Sequence, residues 1–417
     1  MITFTNCKVF DGTNDGLKDV NVTVLGDRIT DVSDAPPGAD ADIFDCGGRV
    51  LMPGMIDAHV HVYALSLNVT EAQGFPSTLT AHHARNMMGD ALDRGFTTLR
   101  DTGGADWGLW LSIEEGLITA PRLYYCGRGI SQTGGHLDLR HQHQFHPHDD
   151  DVVSCGCCFA NGLGWVVDGV PQVRKAVREE LRRGASFIKF AGSGGVSSTA
   201  DDLHGIQLAR EEVLAIVEEV ENHNRYCTAH IHPDGALKRA IELGVHCIEH
   251  GTLIEEDTAY MAAEAGTKIV PTLAVMAALA EQGKAAGYPA EALEKLDMVK
   301  DTAVDRLNYM RNAGVHIGFG TDLIGADLQK EQCIEFGIRA EVFSNLEILQ
   351  QVTGNNAVVL NARGDIGEIT EGCFADIILV DGNPLDDISV LAADGANLPV
   401  IMKGGQFHKN TLEQETT

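Results

Sequence analysis

Two textures of hydrophobic patterning divide the chain. The first part reads as short strands at Ile2–Val9, Val20–Leu25, Arg28–Val32 and Ile43–Asp45, punctuated by the turn pairs Asp11-Gly12 and Gly26-Asp27. The last part repeats that texture at Ala375–Val380, Pro399–Lys403 and Gln406–His408. Between them, apolar runs of strand length alternate with amphipathic helical spacing, as in Val173–Arg183 and Arg210–Asn224. Alternating strands and helices argue for a parallel sheet. The two ends, 1–52 and 355–417, are expected to fold together as one small β-sandwich. The stretch 53–354 is expected to form the main domain. Two departures from regular alternation stand out. Residues 131–165 read as a long loop rich in Gly, His and Asp, and Ala277–Leu296 reads as a helical excursion after the seventh strand.

The apolar runs end in an unusual way. Met-Pro-Gly-Met-Ile-Asp-Ala-His-Val-His (52–61) carries His59 and His61, and alternate strand residues share a face, so two imidazoles can meet one metal ion. Phe-Ile-Lys-Phe-Ala-Gly (187–192) holds Lys189 inside an apolar strand. Cys-Thr-Ala-His-Ile-His (227–232) ends a strand at His230, Cys-Ile-Glu-His-Gly-Thr (247–252) ends one at His250, and Ile-Gly-Phe-Gly-Thr-Asp (317–322) ends one at Asp322. Polar groups at the C-terminal ends of successive strands are where a (β/α)8 barrel carries its site. The expected fold class is therefore α/β: a (β/α)8 TIM barrel beside the β-sandwich. A barrel needs roughly 250 residues, and 417 leave room for both.

The order His-x-His, Lys, His, His, Asp resembles the amidohydrolase superfamily, and the resemblance runs nearly the whole chain. Gly-Gly-His (134–136), Ser-Gly-Gly-Val-Ser-Ser (193–198) and Ile-Glu-His-Gly-Thr point to the Xaa-Pro dipeptidase (prolidase-like) and imidazolonepropionase-related branch. The resemblance implies two divalent metals, zinc by the nitrogen and oxygen donors, bridged by a carbamate on Lys189. Burial and nearby positive charge favour the neutral amine that such a modification requires. One metal would take His59, His61, the carbamate and Asp322; the other the carbamate, His230 and His250. Metal binding brings the pKa of water near neutral. Asp322 would act as general base and then acid. His136 is the candidate oxyanion donor or substrate contact. His232 departs from the pattern, because dipeptidases of this branch usually carry tyrosine there to hold the substrate carboxylate. It shares a strand face with His230 and is expected to look into the pocket as a substrate contact.

The expected activity is hydrolysis of the carbon–nitrogen bond in a dipeptide or N-acyl amino acid with a free carboxylate, ochratoxin-like amides included. The alternatives are a ring-opening hydrolase of the imidazolonepropionase type or a deaminase, both usually mononuclear, and a silent scaffold. Lys189 argues against the mononuclear readings, and the intact ligand set against the scaffold. Composition narrows the partners. A net charge of -29 argues against nucleic acid or anionic membrane as partner. The expected partner is a small-molecule amide or dipeptide, and the resemblance implies a homo-oligomer. No run approaches ~18 uninterrupted apolar residues, and no signal peptide is visible at the start, so the expected location is cytoplasmic. The ten cysteines suggest reduced, packed thiols such as Cys126, Cys227 and Cys247. Cys155, Cys157 and Cys158 form a cluster without a second cluster at zinc-finger spacing. His141, His143, His146 and His148 are expected to form a polar lid.

Overall fold

A computed structural model describes residues 1–72, 74–140, 162–198, 201–285 and 287–412. The expected histidine lid and the Cys155, Cys157, Cys158 cluster lie outside these residues. The described cysteines are free and buried.

The ends of the chain meet in shared sheets. A four-stranded sheet runs in the order Arg28–Ser33, Asn21–Leu25, Ile2–Thr5, Asp42–Asp45. A six-stranded sheet runs Gln406–Asn410, Val400–Lys403, Ile377–Val380, Val50–Pro53, Lys8–Val9, Lys18–Asp19. Alternate residues from both sheets, among them Phe4, Val22, Ile29, Leu51, Leu379 and Met402, share one apolar cluster. The strand expected over Ile2–Val9 is broken at Asn6, whose φ of 51° is left-handed. Asparagine tolerates that region, and Asn6 Nδ2 donates to Asp45 Oδ1 at 2.8 Å. The break sends the two halves of the run into different sheets.

The middle of the chain is parallel. Met55–Val60, Phe96–Asp101 and Arg122–Tyr125 form one sheet. Gly164–Val166, Gly129–Ser131, Ile188–Ala191, Cys227–Pro233, Cys247–Leu253 and Lys268–Val270 form another. Thus the stretch read as a loop to 165 ends in a strand. Ser186 N donates to Tyr125 O at 2.8 Å, linking the first sheet to the approach of the Lys189 strand.

The run expected as a strand ending at Asp322 makes only one isolated bridge, Ile269 to Ile317. It is nonetheless held on both sides. Gly318 N donates to Ile269 O at 2.9 Å, Ala58 N to Phe319 O at 2.9 Å and Asp322 N to His59 O at 2.8 Å. The Asn356 side chain takes over part of the ladder, accepting from Phe319 N at 2.9 Å and donating to Ile56 O at 2.7 Å and Phe319 O at 2.8 Å.

The helices follow their apolar stripes. Val170–Arg182 buries Val173, Ala176 and Val177. Its buried Glu180 is paired with Arg128 Nε at 2.7 Å, while Arg174, Arg178 and Arg182 lie outward in ion pairs with Glu218, Glu219 and Glu179. The excursion after Lys268–Val270 is two helices, Leu273–Gln282 and Ala290–Ala313, separated where Gly287 takes a positive φ and Pro289 starts the next helix. No helix among the described residues is long and apolar enough to cross a membrane.

Candidate active site

The strand ends converge. His59, His61, Lys189, His230, His232, His250 and Asp322 line one pocket of about 930 Å³, together with His136. Each metal-ligand type singled out in the sequence is therefore brought to the same place. Two of them sit on unusual backbone. His250 has a φ of 72° and Asp322 a φ of 54°. Left-handed conformations in non-glycine residues cost of order 1–3 kcal/mol and cluster at functional sites.

The imidazoles are held by their outer nitrogens. His59 Nδ1 donates to Glu249 Oε2 at 2.7 Å, and His61 Nδ1 donates to Gly103 O at 2.9 Å. Both therefore turn Nε2 toward Asp322 Oδ1, at 3.3 and 3.4 Å. His250 Nδ1 pairs with Thr272 Oγ1 at 2.7 Å, and His232 Nδ1 with Thr252 Oγ1 at 2.8 Å. His250 Nε2 lies 2.9 Å from His230 Nδ1. Anchoring one ring nitrogen this way orients the other as a ligand.

Electrostatics suit a cation. Burial first, then the surrounding positive groups, push His230 well below the ordinary imidazole range; His250 is pushed the same way, burial again leading. Burial also pushes His232 down to about 3 and His136 to about 4. Such rings are neutral and carry free lone pairs. Burial pulls the Asp322 carboxyl up, but His59, His61 and His250 outweigh it and hold it well below the usual carboxylate range. Lys189 is 3% exposed, and burial lowers its pKa against the opposing pull of Glu249 and Asp322.

Three observations show that a metal fits. His230 Nε2 is buried with no hydrogen-bond partner among the described residues, which costs free energy unless something fills the position. A Cβ on Gly195 would stand 2.6 Å from that nitrogen, so glycine keeps the space clear. Donor atoms of His230, His232 and His250 lie within 4.8 Å of one another, as do those of His59, His250 and Asp322.

His136 is held by a chain of hydrogen bonds. Its Nδ1 lies 2.9 Å from Ser198 Oγ, and the Ser198 hydroxyl is in contact with Asp201 Oδ1 and with Gly195 O at 3.3 Å. A carboxylate and a carbonyl only accept. Whichever takes the serine proton, Ser198 Oγ must accept from His136 Nδ1–H. The neutral ring therefore presents Nε2 to the pocket as an acceptor, whereas the sequence suggested an oxyanion donor. Asp201 is secured in turn by Lys295 Nζ at 3.0 Å and Gln207 Nε2 at 2.9 Å. The His136 ring stacks on His230 with centroids 3.9 Å apart.

Sequence reasoning missed the groups that do the holding. Glu249 and Arg100 form a fully buried ion pair behind His59, with Thr228 hydrogen-bonded to the same carboxylate. Asp57 accepts from His59 N and Thr321 N at 3.1 Å each and from Gln332 Nε2 at 2.9 Å. Glu249, after Cys247 and Ile248, carries part of the signal that revealed Lys189, whereas Arg100 stands in Phe-Thr-Thr-Leu-Arg-Asp beside another charge. Thr252, Thr272 and Ser198 carry none. Apolar side chains, among them Leu137, Leu139, Val275, Met276, Leu279 and Leu296, complete the lining of the pocket.

Comparison with known proteins agrees with this arrangement. The family model described as the amidohydrolase family matches residues 50–406. The chain is 32% identical over 378 residues to ochratoxinase of Aspergillus niger, covering 86% of this chain and 76% of that protein. It is 40% identical to a crystal structure titled amidohydrolase, with a TM-score of 0.95 and 99% of each chain covered. It is also 40% identical to a prolidase solved with N-methylphosphonate-L-proline, with a TM-score of 0.93 and 98% of this chain and 99% of that one covered. A full-length match in sequence and fold, over a pocket lined by histidines and carboxylate, places the chain in the amidohydrolase family as a hydrolase of amide bonds.

Proposed function

We propose that the chain hydrolyses the amide bond of a dipeptide or N-acyl amino acid that bears a free carboxylate, with two divalent metals. The observation that carries this reading is the convergence of His59, His61, Lys189, His230, His250 and Asp322 on one pocket, where His230 Nε2 is buried with no partner among the described residues. His59, His61 and Asp322 would hold one ion and His230 and His250 the other, with carbamylated Lys189 between them. The neutral Lys189 amine that burial favours adds to carbon dioxide, forming an N–C bond and releasing a proton. When bound, the metals polarise the scissile carbonyl and bring the pKa of water near neutral; zinc suits the donor set.

Asp322 takes the proton of the attacking water and passes one to the departing amine. Its Oδ1 lies 3.3 and 3.4 Å from His59 and His61 Nε2, within the same group of donors. His136 Nε2 serves as an acceptor for a substrate N–H. His232, tied through Nδ1 to Thr252, turns its other nitrogen to the substrate. A second reading of His232 comes from its grouping with His230 and His250: it is a third nitrogen ligand.

The same reading extends to the architecture. The bonds on both sides of 316–322 support closure of the parallel strands into a (β/α)8 barrel over 53–354. The mixed terminal sheets support a β-sandwich of 1–52 with 355–417.

Metal analysis of the purified protein, with Lys189→Ala alongside, tests the proposal. The expected result is close to two metals per chain in the wild type and loss of most metal and activity in the variant. Full activity of Lys189→Ala with metal retained would remove the carbamate, and a single metal would favour the ring-opening or deaminase alternatives. His232→Ala should leave metal content unchanged if His232 meets substrate, and lower it if it is a ligand.

A further inference from the structure

Tyr288 occupies the break between the Leu273–Gln282 and Ala290–Ala313 helices. Its backbone is fixed: its N–H donates to Gly283 O at 2.8 Å, and Pro289 follows as the cap of the next helix. The side chain is 5% exposed and lines the same pocket as His136, His232 and Asp322. Its hydroxyl is buried and has no hydrogen-bond partner among the described residues. A buried hydroxyl left without a partner costs more than an ordinary hydrogen bond contributes, and phenols at ligand pockets are normally satisfied by what binds there. Burial, and after it the Asp322 carboxylate, hold the phenolic proton on, while nearby Ser197 pulls the other way without forming a hydrogen bond of good geometry. The group is an O–H donor awaiting an acceptor.

The acceptor follows from the substrate class and the lining of the pocket. Tyr288 lines it beside the apolar Val275, Met276, Leu279 and Leu296 as well as His136, His232 and Asp322, and a free-acid substrate brings a carboxylate into that space. Among the described residues the lining contains no arginine, and its one lysine, Lys189, is the residue assigned to the carbamate. A substrate carboxylate is therefore met there by neutral donors, of which the Tyr288 phenol is one.

We propose that Tyr288 is a specificity-determining residue whose phenolic O–H donates to the carboxylate of the bound substrate. This rests on the amide-hydrolase reading above and adds the residue that selects a free acid.

Tyr288→Phe removes one oxygen and keeps the packing, and it is assayed on an N-acyl amino acid and on the matching carboxamide. On the acid, kcat/KM is expected to fall roughly 10- to 150-fold, the range for a hydrogen bond to a charged group, chiefly through KM. On the carboxamide the fall is smaller. A fall no larger on the acid than on the carboxamide overturns the proposal, because a purely structural tyrosine affects both alike. A binding measurement separates this outcome from failure of the amide reading. An N-benzyl amino acid, with CH2 in place of the scissile carbonyl, is titrated calorimetrically into both proteins. Weaker binding by Tyr288→Phe supports the carboxylate contact even if no amide is hydrolysed, and equal binding overturns it. Ser197→Ala should bind this analogue as the wild type does; a loss matching that of Tyr288→Phe would give the phenol to Ser197 and overturn the assignment.

Discussion

The parallel strand ends and the terminal sheets bury opposite kinds of side chain. Around the pocket, Asp57, His59, Arg100, Lys189, Thr228, His230 and Glu249 are all nearly inaccessible to water. In the terminal sheets the equivalent inward positions are Phe4, Val22, Val24, Ile29, Leu51 and Leu379. One region gains its stability from apolar area. The other buries charge in ion pairs such as Arg100 with Glu249, and carries left-handed backbone at His250 and Asp322. The contrast teaches that a change in the terminal sheets should be read as loss of folding, and one around the pocket as loss of chemistry.

The largest expected effect tests the terminal side. Phe4 is fully buried, 5.2 Å from the Phe44 ring and 6.3 Å from Phe407. Phe4→Ala should cost about 3–5 kcal/mol in denaturant unfolding, with kcat per folded molecule unchanged. A drop in kcat would show that the two regions are not separable.

Asp322→Asn tests the pocket side. Asparagine accepts the left-handed backbone of this position, so the fold should survive while turnover falls at least ~100-fold. Steady-state kinetics beside a thermal melt decides it; a fall below tenfold would hand the proton to another group.

Thr272→Val is subtler. It removes the partner of His250 Nδ1 and keeps the branched shape, so metal affinity should fall about 10- to 100-fold in a chelator competition. Unchanged affinity would mean that Thr272 does not orient the ring.

The smallest effect concerns pH. Burial pushes Asp11 up, but Lys18 and the N–H groups of Asn14 and Thr13 prevail and hold it at about 2, below its ordinary 3.8. A depressed carboxyl stabilises the fold above its unfolded pKa and loses that contribution as pH falls through the folded one. The wild type should therefore exceed Asp11→Asn by about 1 kcal/mol at neutral pH after solvent screening. The difference should close between pH 4 and 2. A constant difference across that window would trace it to packing.

The sequence was most readable where an apolar run ends in a lone polar residue, as at His59, Lys189, His230 and His250. There a single side chain contradicts its surroundings. Glu249 contradicts its own in part and Arg100 hardly at all, and the meaning of both lies in a partner well over a hundred residues away. Ser198, Thr272 and Tyr288 look like ordinary turn or helix-flanking residues, and only the pocket gives them a role. The strand pattern of the ends was legible in outline. The break at Asn6 was not, because a left-handed residue inside an alternating run leaves the pattern of polarity intact. The 316–322 run was placed correctly beside its neighbours' ends, yet its ladder is shared with the Asn356 side chain, which no local pattern announces.

The pairing of Val50–Pro53 with Ile377–Val380 has a consequence for how the protein is made. One edge of the early strand can be satisfied at once by Lys8–Val9. Its other edge must wait from Pro53 to Ile377, 377 minus 53 or 324 residues. At about 5–20 residues per second, a ribosome leaves that edge unpaired for roughly 15 to 65 seconds. An open edge of Val-Leu-Met-Pro is a template for a neighbouring chain, and the closing proline, which cannot donate, is a natural brake on such growth. The edge is therefore most exposed during synthesis, before Ile377–Val380 arrives to cover it.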